Sequence, residues 1–180
     1  RKCNPRVFGK HCIKHPLQAV FYHGSQRKCL VIPDGAFRNP MTVEQIQNQI
    51  VRMPLTGVVM DGSTVFNFAQ KEVPILVDSL TKMAETTKED IDWFLFHQPN
   101  KFMLQKLAER IGVPFEKMPM DIVEKFGNSN SATIPTAITA DLKEEMLNKE
   151  SLCCLAGFGA GVAWAGIIMK MGNMDFCDTI

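Results

Sequence analysis

The sequence predicts an α/β domain, a sheet flanked by helices, on three observations. Ile91-Asp92-Trp93-Phe94-Leu95-Phe96 is nearly all apolar and too short for a helix, as expected of a strand buried on both faces. From Asp61 onward, Val65, Phe66, Ala69, Val73, Leu76, Leu80, Met83 and Ala84 recur every three or four residues, which is one face of a long helix. Residues 152–156 and 162–169 are two more apolar runs, joined by Gly157-Phe158-Gly159-Ala160-Gly161. With 180 residues, 46% of them hydrophobic, the chain has enough apolar surface for a real core, as one domain or as half of a larger α/β protein.

The elements follow in order. Residues 16–24 and 28–32 read as two strands around the turn Gly24-Ser25-Gln26, and Pro33-Asp34-Gly35 opens an irregular stretch. Pro74 predicts a kink in the long helix because it brings no N–H. After the strand at 91–96, a helix over 101–111 turns Leu104, Leu107, Ala108 and Ile111 inward and stops at Gly112-Val113-Pro114. A third helix begins just after Asn128, with Pro135 early in it and Ala132, Ala137, Ile138 and Ala140 as its packing surface. The two strands around the glycine turn complete one compact unit without internal repeats.

Composition narrows the function. A net charge of +1, from 20 basic and 19 acidic residues, gives no whole-chain field to hold nucleic acid or an anionic membrane. No apolar stretch approaches the ~20 residues that span a bilayer. The opening Arg1-Lys2-Cys3-Asn4-Pro5 is neither a signal peptide nor an initiator methionine, so a soluble piece of something longer is expected. Six cysteines without C-x-x-C spacing suggest free thiols in a reducing cytoplasm. Cys153 and Cys154, adjacent in a strand, read as small buried hydrophobes facing opposite sides. Cys3, His11, Cys12 and His15 lack recognised ligand spacing, so no metal is expected. Met53, Met60, Met83, Met103, Met118 and Met120 read as core filler.

Three motifs carry chemistry. His97-Gln98-Pro99-Asn100 follows the buried strand, which sets His97 at a strand's carboxyl end, where open α/β sheets bind ligands. Phe126-Gly127-Asn128 precedes the helix of small residues, and the glycine turn lets a substrate approach backbone amides or else closes a tight hairpin. Imidazole and carboxamide are both neutral donors at pH 7. Together they suit a carbonyl oxygen that gains negative charge, without the desolvation cost of a buried cation. Asn128 also reads as a helix N-cap, with Ser129, Asn130 and Ser131 as alternative caps, and the two roles coexist because a helix N-terminus favours an anion. The chain lacks an obvious nucleophile.

Taken in this order, with Trp164 beyond the glycines, Met60-Asp61-Gly62-Ser63-Thr64-Val65-Phe66 at the long helix and Asp90-Ile91-Asp92-Trp93 before the histidine, the sequence resembles the C-terminal half of a β-ketoacyl-[acyl carrier protein] synthase III. The resemblance implies a thiolase-like fold, with a mixed central sheet flanked by helices and two similar halves packed together, usually in a cytoplasmic homodimer. Residues 1–180 would be the second half, inactive alone. The family's reaction, in fatty-acid or related biosynthesis, is a decarboxylative Claisen condensation. A cysteine of the first half takes an acyl group from acyl-CoA, and malonyl-[acyl carrier protein] then attacks it as carbon dioxide leaves. CoA and phosphopantetheine thioesters serve as substrates, with no further cofactor.

By motif position the resemblance assigns His97 and Asn128 to the enolate and packs Phe158 beside them. Gly159 and Ala160 fall at the acyl oxyanion, and Asn100, Gly62 and Ser63 along the pantetheine arm. Lys101 and Lys106 lie where the family meets its acidic carrier protein. Ala160 stands where glycine is usual, Ser63 where asparagine is common and Phe102 where a basic residue is expected, and residues 172–180 run past the family's usual end. Two other readings stay open: acyl transfer to an alcohol or amine with His97 as general base, and a non-catalytic partner subunit of the same fold.

Overall fold

The computed structural model describes residues 17–22, 24–26, 28–32, 40–44, 46, 47 and 58–178. Its strands are β1 (Leu17–Tyr22), β2 (Leu30–Val31), β3 (Val59–Met60), β4 (Trp93–Phe96), β5 (Glu150–Gly159) and β6 (Ala163–Gly172). The helices that pack around them are α1 (Gly62–Met83), α2 (Lys101–Ile111), α3 (Ile122–Phe126), α4 (Thr133–Asp141) and α5 (Lys143–Asn148). Four strands form a sheet in the order β1-β6-β5-β4; β4 runs parallel to β5, and the other pairs are antiparallel. A mixed sheet flanked by helices is therefore what the chain builds.

Side-chain alternation along β4 explains why helices cover both faces. Phe94 and Phe96 enter one core with Ala69, Val73 and Leu76 of α1 and Leu104 and Leu107 of α2. Leu95 faces the other core, with Ile138 of α4, Met146 of α5 and Leu142 between the two helices. Neighbouring β5 repeats the pattern, because Cys154 joins the first core and Cys153 the second. Burial pushes both thiols up to about 12, so they pack as small hydrophobes, as the sequence suggests. Cys3, His11, Cys12, His15 and Met53 lie outside the described residues.

A side chain fastens β4 to β5 at its start. The Asp92 N–H donates to the Leu152 carbonyl at 2.9 Å, and the Asp92 carboxylate accepts the Leu152 N–H at 2.8 Å. Trp93 then pairs with Cys153 and Phe96 with Ala156.

Helix α1 is capped by Asp61, whose carboxylate accepts the Thr64 N–H and the hydroxyls of Thr64 and Ser63. Those bonds hold its carboxyl down at about 2. The helix continues through Pro74 for 22 residues. Proline leaves the carbonyl four residues back without its donor, and Arg110 of α2 supplies one, its Nη1 reaching Gln70 O at 3.1 Å. The Gln70 side chain returns the contact, donating Nε2 to Met103 O at 3.1 Å. Helix α2 matches its predicted span and ends on Gly112, which adopts the left-handed cap conformation.

Several expectations change. The turn at 24–26 closes no hairpin: β1 pairs with β6, and β2 pairs with β3 in a separate two-stranded ribbon. Phe21 stacks on Trp164 of β6 with centroids 5.6 Å apart, a contact that a two-residue β2 could not match. Met60 and Met83 are exposed, on the ribbon and in the last turn of α1, whereas Met103, Met118 and Met120 are buried. The hairpin strands are longer than predicted, so Gly157 and Gly159 belong to β5 and the turn is Ala160-Gly161-Val162.

The helix after Asn128 starts late. Asn130 has φ 52, a left-handed value that asparagine tolerates, so residues 130–132 form a 3-10 turn and α4 begins at Thr133. Ala132 and Ala140 are exposed; Ala137 and Ile138 do the packing. Among the described residues no helix is long and apolar enough to cross a membrane.

Candidate active site

His97 extends the β4 ladder by one bond, donating its N–H to Ala156 O at 2.8 Å, so its ring leaves the sheet at the strand's carboxyl end. Gln98 fixes the loop beneath it. Its side chain is wholly buried and donates Nε2 to Phe96 O at 3.0 Å and to Pro119 O at 2.8 Å. Two carbonyl acceptors demand the amide nitrogen on that side, which leaves Oε1 as a buried oxygen without a partner among the described residues.

The imidazole is held on two sides. Nδ1 lies 2.8 Å from the Thr133 hydroxyl, and the ring meets Phe158 edge-on with centroids 5.5 Å apart. Burial lowers the basicity of His97, and the neighbouring Asn130 backbone partly offsets this. The ring is therefore neutral at pH 7.

Asn128 follows Gly127, which has φ 69 and turns the chain where a side chain would be strained. Its Oδ1 accepts the Asn130 N–H at 2.9 Å. Since an N–H needs an oxygen acceptor, this bond fixes the amide's orientation and presents the exposed Nδ2 as a free-sided donor. The expected N-cap role is corrected: Asn128 closes a local turn, and α4 starts behind Ala132 with no side-chain cap. His97 and Asn128 thus sit on one hydrogen-bonded network, His97 to Thr133 and Thr133 to Asn130, whose N–H is held by Asn128.

Phe158 is buried in β5 beside the imidazole, and Gly159 ends that strand. A Cβ on Gly157 or Gly159 would touch nothing within 4 Å, so this face of β5 is open. Ala160 is absent from the described non-glycine residues with positive φ (Glu85, Asn130 and Asn173), so alanine fits there without strain.

Gly62, Ser63 and Asn100 collect at two adjacent helix starts, because Phe66 of α1 stacks on Phe102 of α2 with centroids 5.8 Å apart. The Ser63 hydroxyl is spent on Asp61 at 2.8 Å. Asn100 caps α2 through Oδ1, which accepts the Met103 N–H at 2.8 Å. Lys101 pairs with Asp121 at 2.7 Å and Glu124 at 3.2 Å, and these carboxylates raise its basicity while balancing its charge. Lys106 pairs with Glu109 at 2.7 Å. Cavities of about 300 Å³ beside Phe68 and Trp164, and about 450 Å³ beside Trp93 and Phe115, lie away from His97 and Asn128.

Thr133 is the residue that sequence reasoning missed, and Gln98, quoted within its motif, was given no role of its own. A threonine at a helix start carries no periodic signal, and its imidazole partner is 36 residues away.

Comparison with known proteins identifies the family. The family described as 3-oxoacyl-[acyl-carrier-protein (ACP)] synthase III C terminal matches residues 81–171. A beta-ketoacyl-[acyl-carrier-protein] synthase III of Synechocystis sp. is 32% identical over 151 residues, which covers 84% of this chain and 44% of the relative. A protein of the same name from Porphyra purpurea is 35% identical over 114 residues, covering 63% of this chain and 35% of its own length. The crystal structure of a 3-oxoacyl-(acyl-carrier protein) synthase from Burkholderia xenovorans LB400 superimposes with a TM-score of 0.79 at 33% identity, over 91% of this chain and 46% of that one. The chain thus spans less than half the length of these relatives, and its fold is thiolase-like. By matched sequence and by superimposed structure, the chain belongs to the C-terminal family of the 3-oxoacyl-[acyl-carrier-protein] synthases III.

Proposed function

We infer that this chain is the C-terminal domain of a condensing enzyme and supplies the part of its site that decarboxylates malonyl-[acyl carrier protein]. The observation that carries the reading is the neutral imidazole of His97 tied through Thr133 and Asn130 to an Asn128 amide whose nitrogen is free to donate. As the bond to the carboxylate breaks, its electron pair moves onto the thioester carbon skeleton and carbon dioxide departs. The enolate oxygen takes hydrogen bonds from Asn128 Nδ2 and His97 Nε2. The enolate carbon then attacks the acyl thioester on a cysteine of the N-terminal half, the Gly159-Ala160 backbone cradles the oxygen that becomes negative, and collapse of this adduct breaks the C–S bond and returns the cysteine as a thiolate. Phe158 keeps water from the imidazole's flank.

The paired helix starts at Gly62, Ser63 and Asn100 suit a polar pantetheine arm, with the Asn100 amide nitrogen left over from capping. Lys101 and Lys106 face the carrier protein in this reading, each with its charge partly balanced by acidic neighbours. The working protein is a cytoplasmic homodimer of full-length chains that uses acyl-CoA and no metal, and the isolated domain is inactive.

The test is condensation by the full-length parent. His97→Ala and Asn128→Ala should each lower turnover by about 10²–10³-fold, with product analysis by mass spectrometry showing carbon dioxide release and a gain of two carbons. Unchanged turnover in both variants rejects the assignment. Acyl transfer without two-carbon gain supports the general-base reading instead.

A further inference from the structure

Thr133 owns one hydroxyl hydrogen and has three polar neighbours. The Gln98 N–H, 3.3 Å away, can only donate to it. The Asn130 carbonyl, at 2.8 Å, can only accept from it, and His97 Nδ1, also at 2.8 Å, can do either. Two proton arrangements satisfy these distances. If the hydroxyl serves Asn130, Nδ1 must bring its own proton, and Nε2 of the neutral ring is a bare lone pair. If the hydroxyl serves Nδ1, the ring proton sits on Nε2. Only the second arrangement gives a neutral His97 a donor for an enolate oxygen; the first makes it a base.

The Asn130 carbonyl leaves the second arrangement open. It already accepts the backbone N–H of Thr133, so it stays satisfied when the hydroxyl turns away. Nδ1 has no comparable second donor in the described network. We propose that Thr133 is a positioning residue, donating its hydroxyl to His97 Nδ1 and thereby holding the imidazole in the Nε2–H tautomer. Its burial, at 1% exposed, keeps water from replacing that bond, and the Gln98 N–H on the opposite lone pair fixes the hydroxyl oxygen in place. The inference rests on the reading that His97 binds the enolate oxygen.

In Thr133→Val the imidazole loses its donor and is left beside the Asn130 carbonyl, which only accepts. The proton then moves to Nδ1, and Nε2 stops being a donor. The full-length parent, labelled with 15N-histidine, reports this directly through the ring-nitrogen shifts of His97. Wild type and Thr133→Ser, which keeps the hydroxyl, should show Nε2–H. Thr133→Val should show Nδ1–H, with kcat for malonyl decarboxylation down by about 10²-fold and acylation by acyl-CoA unchanged. A wild-type ring protonated on Nδ1 overturns the inference without any substitution. So does a folded valine variant with wild-type tautomer and rate. If His97→Ala itself leaves decarboxylation intact, the functional reading falls; if it abolishes decarboxylation while Thr133→Val does not, only the tautomer assignment falls.

Discussion

At the scale of single residues, His97 sets a pH dependence of stability. Burial lowers its pKa from the ordinary 6.5. The unfolded chain therefore binds a proton near pH 6.5 that the folded domain still refuses. Stability from this residue is complete above that pH, declines as the pH falls through 6.5 and levels off below the folded value. Thermal midpoints between pH 7.5 and 5.5 should fall for the wild type and fall less for His97→Asn. Parallel slopes would remove burial of the imidazole as the cause. The histidine was legible in sequence because a strand's end follows from local apolar pattern, whereas that pattern left Phe158 in the turn and only the resemblance set it beside the imidazole. Thr133 was not legible, since its role depends on a ring brought from another loop. Asn128 was half legible: its donor role stands as proposed, but the left-handed Asn130 took away the helix it was expected to cap.

Among elements, α1 shows how a local defect is answered by a neighbour. Pro74 was visible in sequence as a missing donor, yet nothing in the sequence named Arg110, 40 positions beyond Gln70, as the replacement. Arg110→Met should destabilise the domain by about 1 kcal/mol, and by less in a Pro74→Ala background, where the restored N–H serves Gln70 O itself. Denaturant unfolding of the four proteins in a double-mutant cycle measures the difference. Equal costs in both backgrounds would show that Arg110 acts elsewhere. The spans of α1 and α2 were readable because periodicity and caps agreed, with Asp61 and Asn100 at their starts and Gly112 at the stop of α2. The short α3 and α5, five and six residues long, offer too few turns for a period to show.

Across the whole molecule, the class was readable and the pairing was not, because β1 finds its partner nearly 150 residues along the chain and no local signal encodes that. The seam between sheet and α1 is tight at Gly166, where a Cβ would stand 2.7 Å from Leu80 Cδ1 and 2.9 Å from Leu155 O. Gly166→Val should cost about 1–3 kcal/mol by overpacking, read as a lower denaturant midpoint at unchanged slope; a neutral result would mean that α1 shifts freely on β6. The same sheet carries a longer-range dependence. Side chains alternate along β4, so sliding it one residue against β5 would exchange the two cores and send the imidazole out from beneath the opposite layer of helices. The carboxylate of Asp92, gripping Leu152 at the far end of the strand, adds to the hold of the two cores against that slip. A group with no part in the chemistry thereby helps fix the side on which the chemistry happens.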